Sequence, residues 1–495
     1  GLALFSVFMF YDDEGYVLTS LKNYAEHGQL YGQVYTQYGP FPFVFFHALH
    51  ALGLPFTHIG GRLVTLACWA GTAVACGALT WRATRSLPTG LAVLAGTFPF
   101  LWIMSNESTH PGGLITLLVA ANAALGWYAI DRGRLRSWAF LTGCAGAAVA
   151  LSKINLGAFL VLSAVAWLGW HAASAQLRRW APVVIAAGGM VIPLLLMRPL
   201  LDREWVQTFA LLVAGAAVSA ALVMPRTAAP LAGRALLGWG LAGAALISAV
   251  AILPVLARGT SAWEMIEGVL LNPLRHPVAF NVRFLWPPFS QALAVVSLLG
   301  AIAAIPLARR APRAVDGAVA ALRLVAGAGL AVALLGFPDV SPDRLVFAYG
   351  TQVLWLFLWP LTDRPAATRA AHGWVACLWL GQYLHAFPVA GSQIAWGTFL
   401  ALPLAAIGGH EAMQWLGSHL ARSRPLWSRP MALLARGTLV VIAAVLALRF
   451  TALGDRYRSG SDLGLPGAEI IRLPTESVAL FRLLTVNATA HGDML

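Results

Sequence analysis

Apolar runs of about 20 residues recur along the whole chain, and they leave few folds open. A helix rises about 1.5 Å per residue, so about 20 residues cross a hydrocarbon core of about 30 Å. Backbone amides cannot stay unpaired in lipid, so runs of this length must be helical. The short alternating segments of a β-barrel are not seen. Spans are expected at 62–81, 88–103, 112–130, 138–151, 154–171, 182–198, 206–224, 236–257, 289–308, 318–337, 345–361, 374–390, 395–409 and 431–450. Residues 1–10 are apolar but too few to cross, and read as the end of a first helix that starts upstream. The expected fold is all-α, a polytopic transmembrane bundle of about 13–15 spans. It comprises a membrane domain over 1–450 and a short tail over 451–495.

The arginines support that count. Arg82 and Arg85 share one loop; Arg132, Arg134 and Arg136 the next but one; then Arg178 and Arg179; then Arg226 and Arg234. Arg309, Arg310 and Arg313 continue the series, followed by Arg364 and Arg369, then Arg422, Arg424 and Arg429. Every second loop belongs to this set, and the positive-inside rule makes those loops cytoplasmic. The other loops are then outside. Two of them are long, 11–61 and 258–288, and both mix aromatic and charged residues as interfacial helices do. Arg323 and Arg436 fall just inside cytoplasmic helix ends and are expected to snorkel.

Composition closes off other classes. Only 11% of residues are charged and 59% are hydrophobic, whereas soluble domains carry about 25% charged residues. The net charge of +13 would suggest nucleic acid in a soluble protein. Here the basic residues punctuate apolar runs, so orientation explains them and no nucleic-acid partner is expected. Cys68, Cys76, Cys144 and Cys377 lie inside apolar runs without metal-type spacing.

Three polar breaks on the outer side could carry chemistry. Asp12-Asp13-Glu14 follows the first apolar stretch. Crowded carboxylates at a membrane surface repel one another and are partly desolvated, which suits a general base. The same residues also suit the solvated start of an interfacial helix running to about Glu26. Lys153, in Ser152-Lys153-Ile154-Asn155, is one of only two lysines with Lys22. Such a lysine either meets an anion or snorkels at a helix end. Arg344 follows Asp343 at the start of a span, and could fork onto a phosphate or simply pair with that aspartate. His385 and Gln393 flank another polar outer turn. His47, His50 and His58 read as interfacial histidines. Asn106-Glu107-Ser108 and Asn487-Ala488-Thr489 fit the short glycosylation pattern. There is no phosphate-binding glycine loop, nucleophile elbow or zinc motif.

An acidic pair just after a first span, followed by an interfacial helix, resembles the GT-C membrane glycosyltransferases. That superfamily includes protein O-mannosyltransferases and the lipid A aminoarabinose transferase. Asp13-Glu14 resembles their Asp-Glu pair. Tyr38-Gly39-Pro40-Phe41-Pro42, leading to Gly61-Arg62-Leu63, resembles their proline-marked interfacial helix. Leu151-Ser152-Lys153-Ile154-Asn155-Leu156-Gly157 resembles their apolar-Thr-Lys-Gly-Pro stretch, with Ile154-Asn155 replacing Gly-Pro. Arg344 before Tyr349 resembles their late outer arginine.

The resemblance implies an inverting transfer of a sugar from a polyprenyl-phosphate donor to a glycan, lipid or protein acceptor outside the membrane. Asp13, or its neighbours Asp12 or Glu14, would be the base. Lys153, Arg344 and Arg62 would meet the lipid phosphate, and Tyr38, His385 and Gln393 would contact sugar or acceptor. No cofactor is fixed by it, and a divalent metal on the acidic cluster stays open. The competing expectations are a transporter or lipid flippase and a non-catalytic scaffold. Arginine bias without sorting signals suggests a bacterial inner membrane, with the active site facing outward. In the tail, Thr475 is expected to cap a helix to about Leu484, and the chain stops at Leu495 without an obvious terminator.

Overall fold

The computed structural model describes residues 1–495 except 9–12, 173, 225–232, 275–280, 337–340, 387–390, 392, 424–443, 445–446, 449 and 491–495. Asp12, Arg436 and most of the expected span 431–450 therefore lie outside the described residues.

Nearly all regular structure is helical. After a short 3-10 turn at Leu2–Phe5, α1 (Asp13–His27) and α2 (Pro40–Ala51) occupy the first long loop. The bundle then runs through α3 (His58–Thr84), α4 (Leu87–Phe100), α5 (Gly112–Asp131), α6 (Leu135–Ala150) and α7 (Ile154–Trp170). It continues with α8 (Ala175–Leu196), α9 (Glu204–Val223) and α10 (Gly233–Ala257). Helices Ser290–Arg310, Pro312–Leu334, Ala366–Tyr383 and Ala401–Ser423 complete it.

Among the described residues, eight helices are long and apolar enough to cross a membrane, so this is a multi-pass helical bundle. The eight include α3, α5, α9 and, when its 3-10 extension to Glu107 is counted, α4. Lipid explains their surface. α8 is only 11% buried over its most apolar window, yet it presents Val183, Val184, Leu194 and Leu195 outward. Water would not tolerate apolar faces of that extent. α5 and α9, 67% and 72% buried, form the interior.

Several other expected spans are shorter or divided among the described residues, for local reasons. α6 and α7 have 16 and 17 residues. The expected span 345–361 is a composite: α-helix Pro342–Leu345, a π turn Val346–Gly350, a 3-10 turn Thr351–Val353 and α-helix Leu354–Leu358. The expected span 374–390 begins instead at Ala366 and ends at Tyr383. The expected span 395–409 divides into a short helix Gln393–Thr398 and the longer Ala401–Ser423. Hydropathy misplaced these ends because polar residues there, such as His372, Gln382 and Glu411, are buried against protein rather than left at a surface.

Tryptophan dominates the core. Trp127, Trp138, Trp167, Trp170, Trp374, Trp379 and Trp396 are fully buried, and Trp138 packs edge-on to Trp374 at 5.2 Å. A second cluster lies under the two long loops, where Val17, Tyr24, Leu30, Phe43 and Phe46 meet Val255, Met265 and Val269. The two long loops are tied there: Leu30 N–H donates to Thr260 Oγ1 (2.9 Å), and Arg258 donates to the Ala25 carbonyl (2.8 Å) while stacking on Tyr24.

The tail docks onto this same end. Ser461–Asp462 pairs antiparallel with Arg472–Leu473, and the Gly467 carbonyl accepts from Ile59 N–H at 3.0 Å. Its helix starts at Thr475, one residue past Pro474, and extends to Ala490. Thr475 is thus the first helical residue rather than the cap, and its hydroxyl bonds Ser461 instead.

Candidate active site at the outer-loop end

Asp13 and Glu14 open α1, but the fold gives them different surroundings. Glu14 is 0% exposed and forms a two-point pair with Arg62 of α3: Nε donates to Oε1 (2.9 Å) and Nη2 to Oε2 (2.6 Å). Thr109 Oγ1 adds a bond to Oε1, and His58 Nδ1 lies 3.2 Å from Oε2. Burial pushes the Glu14 carboxyl up, but His58 and Arg62 outweigh it and hold the group below its ordinary range. Arg62 Nη1 donates to the Leu4 and Val7 carbonyls, and Phe8 covers the guanidinium at 5.2 Å. Arg62 was expected to meet a lipid phosphate. It is instead 1% exposed, with donors on all three guanidinium nitrogens committed inside the protein. Glu14 and Arg62 hold the first segment against α3 and present no free face to a substrate.

Asp13 is 37% exposed at its side chain. Tyr38 O–H donates to its Oδ2 at 2.8 Å, and His110 Nε2 lies 3.5 Å from the same oxygen. His110 Nδ1 accepts from Gly112 N–H (2.9 Å), which leaves the ring proton on Nε2, facing Asp13. Burial, then the nearby Lys153 charge, holds His110 well below its ordinary range, so the ring is neutral. Burial and the adjacent Asp13 raise the Tyr38 phenol well above its own, so it stays a donor.

Lys153 stands in the turn between α6 and α7, capping the start of α7. With its amide oriented to satisfy both neighbours, Gln393 accepts from Lys153 Nζ at 3.0 Å and donates to the His385 carbonyl at 3.0 Å. Trp396 forms the floor: its ring lies 5.5 Å from Lys153 Nζ, 4.7 Å from His110 and 5.0 Å from His385. His385 is 0% exposed, and among the described residues neither ring nitrogen has a hydrogen-bond partner. Desolvation pushes the Lys153 ammonium down to about 8, against the pull of Glu107 and Asp13.

Two glycines allow this convergence. Gly39 N–H donates to the Ser152 carbonyl and Phe41 N–H to that of Leu151. A Cβ on Gly39 would collide with the Leu151 carbonyl. A Cβ on Gly112 would enter the Trp396 ring. The Tyr38-Gly39-Pro40 stretch and the Ser152-Lys153 turn, more than a hundred residues apart, are therefore hydrogen-bonded neighbours.

Of the expected site residues, Asp13, Tyr38, Lys153, His385 and Gln393 come together. Arg344 stands apart from their direct contacts. Its guanidinium is exposed and lies 6.0 Å over Phe284, though its helix packs on the helix carrying Gln393 and Trp396. Asp12 lies outside the described residues. His110, Trp396 and His58 were not anticipated for this site. The available signal was Thr109-His110-Pro111 in an outer loop, where Thr109 takes a left-handed backbone (φ 65) that a branched residue adopts at a cost. Among the described residues, no group of three or more histidine, cysteine, aspartate or glutamate side chains is placed to hold a metal ion.

No family model matches the chain, and no curated protein or solved structure matches it.

Proposed function

We propose that this chain is a glycosyltransferase of the GT-C type that uses a polyprenyl-phosphate sugar, with its site on the outer face of a bacterial inner membrane. The observation that carries the reading is a half-exposed carboxylate, Asp13, and a desolvated ammonium, Lys153, gathered around His110 and Trp396 at one end of an apolar bundle. Inverting sugar transfer uses two such groups: a base for the acceptor and a cation for the departing phosphate.

In this reading, Tyr38 and His110 occupy Asp13 Oδ2 and fix the carboxylate, leaving Oδ1 to take the proton of an acceptor hydroxyl. The hydroxyl oxygen bonds to the anomeric carbon as the sugar–phosphate bond breaks, and the electron pair stays on the phosphate. Lys153, held by Gln393, stabilises that charge. His385 is buried behind the site, and its carbonyl accepts from the Gln393 amide that holds Lys153. Arg344 would serve a phosphate only on the adjoining surface. Attack opposite the leaving group inverts the anomeric centre. The acceptor is a glycan, lipid or protein hydroxyl.

A transporter or lipid flippase is the second reading. The observation in its favour is a buried ion pair, Arg323 with Glu411, inside the bundle. Native mass spectrometry of the purified protein, followed by turnover of lipid-linked sugars, separates the two. A co-purified or added polyprenyl-phosphate sugar that Lys153→Ala fails to retain, with transfer lost in Asp13→Asn, supports the transferase. Substrate flux across a vesicle membrane that survives Asp13→Asn supports the transporter.

A further inference from the structure

We infer that the opposite, arginine-rich end of the bundle carries a pocket for a single phosphate-class anion. Helix Ala366–Tyr383 links the two ends: its last residue leads to His385, and its first turn borders this pocket. Its 18 residues separate the two by about 27 Å, so the pocket is no part of the candidate active site.

The pocket is lined by Trp359, Thr362, Arg364, Arg369, His372 and Glu411, among others. Glu411 brings one negative charge, but two arginines already hold it. Arg323 Nη1 donates to its Oε2 (2.7 Å), and Arg364 Nε lies 2.6 Å from its Oε1. Arg323 uses its remaining donors on the Leu356 and Trp359 carbonyls and is 0% exposed, so it does not snorkel as expected. Arg369 Nη1 reaches only Asp363, whose carboxylate is fully in solvent. Asp316 accepts from Trp359 Nε1 (3.0 Å), and Asp131 is held by Arg82 and Thr368. Each nearby carboxylate is thus engaged, whereas part of the arginine donor set is not.

Two donors at this pocket have nothing to bond: Arg364 Nη1 and Arg369 Nε are buried without a hydrogen-bond partner among the described residues, as is the ring nitrogen Nε2 of His372. A buried donor without a partner forfeits its hydration and favours a ligand that restores a bond. No side chain caps the N-terminus of the Ala366–Tyr383 helix, where the dipole is positive and backbone amides point outward. Guanidinium groups only donate, so the complement is a group rich in acceptors and negative charge. The cavity is about 20 Å³. That is room for about one water-sized group, such as one oxygen of an anion seated at the open rim, and excludes a sugar or nucleotide. A phosphate inserting one oxygen matches these donors, either free or as the headgroup of an anionic phospholipid at this face.

The test uses the full chain in a maltoside detergent, which carries no phosphate. The thermal midpoint is followed while inorganic phosphate or short-chain phosphatidylglycerol is titrated, with sodium chloride as the ionic-strength control. Saturable stabilisation by inorganic phosphate identifies a free anion, and saturation by phosphatidylglycerol alone identifies a headgroup. In either case Arg369→Gln should weaken the response at least tenfold, as should Arg364→Lys, which keeps the charge but loses the fork. Arg369 sits at the exposed rim, so its variant remains informative if Arg364→Lys misfolds. Responses no larger than with chloride, or unchanged in Arg369→Gln, overturn the inference.

Discussion

Replacing Lys153 by methionine should stabilise the protein at neutral pH while destroying its proposed function. Lys153 is held at about 8 instead of lysine's ordinary 10.5, chiefly by desolvation. At about 1.4 kcal/mol per tenfold change in proton affinity, a charged Lys153 costs the folded state about 3 kcal/mol. Two corrections reduce the gain. Part of the side chain still reaches solvent, which screens the effect. Methionine also abandons the Gln393 oxygen, at a cost of about 1 kcal/mol. A net stabilisation of about 1–2 kcal/mol is expected at pH 7. The sign with pH follows from linkage. The folded pKa lies below the unfolded one, so the unfolded state binds the extra proton between about 8 and 10.5. Wild-type stability therefore rises across that window, and the penalty is complete below it. Thermal melts of both proteins in detergent, from pH 7 to 10.5, read the difference directly. The variant's advantage should shrink as pH rises from 8. A variant less stable than wild type at pH 7, or a difference that ignores pH, would refute the reasoning.

Other outcomes follow from the same geometry. Glu14→Gln strands the buried Arg62 charge and should cost about 3–5 kcal/mol, read as a lost or lowered melting transition. Asp13→Asn should fold normally yet lose about 10²–10⁴ of transfer rate, measured with a lipid-linked sugar donor; unchanged turnover would remove Asp13 from the mechanism. Transfer should decline as pH rises through about 8, where Lys153 loses its proton, and a pH–rate profile flat to pH 10 would exclude that role. Gly39→Ala should disrupt the contact with Leu151 and lower the yield of folded protein far more than Gly15→Ala, where a Cβ meets nothing within 4 Å.

Much of the site was legible as separate polar breaks. Asp13, Lys153, His385 and Gln393 stand out because a polar residue between apolar runs is expensive without a partner. His110 and Trp396 did not stand out: a histidine in a short loop and a tryptophan in an apolar run look ordinary until the fold stacks them. Arg62 and Arg323 misled in the same way. Each was assigned to a surface because arginine is costly inside, and each is buried because a glutamate far along the chain meets it, Glu14 for one and Glu411 for the other.

The sequence by itself determined a helical membrane bundle and which loops gather at a common end, since lipid demands helices of a given length and the charges mark alternate connections. The structure agrees that Arg82 and Asp131, from two successive arginine loops, meet at one end while Tyr38, His110 and Lys153 gather at the other. Only the tertiary structure decided which carboxylate is free. Asp13 and Glu14 are adjacent and chemically alike, but successive helical residues point about 100° apart. One turns into Arg62 and the other toward Tyr38 and the open site. That choice depends on α3 packing against the first segment, a long-range contact that hydropathy and spacing do not encode.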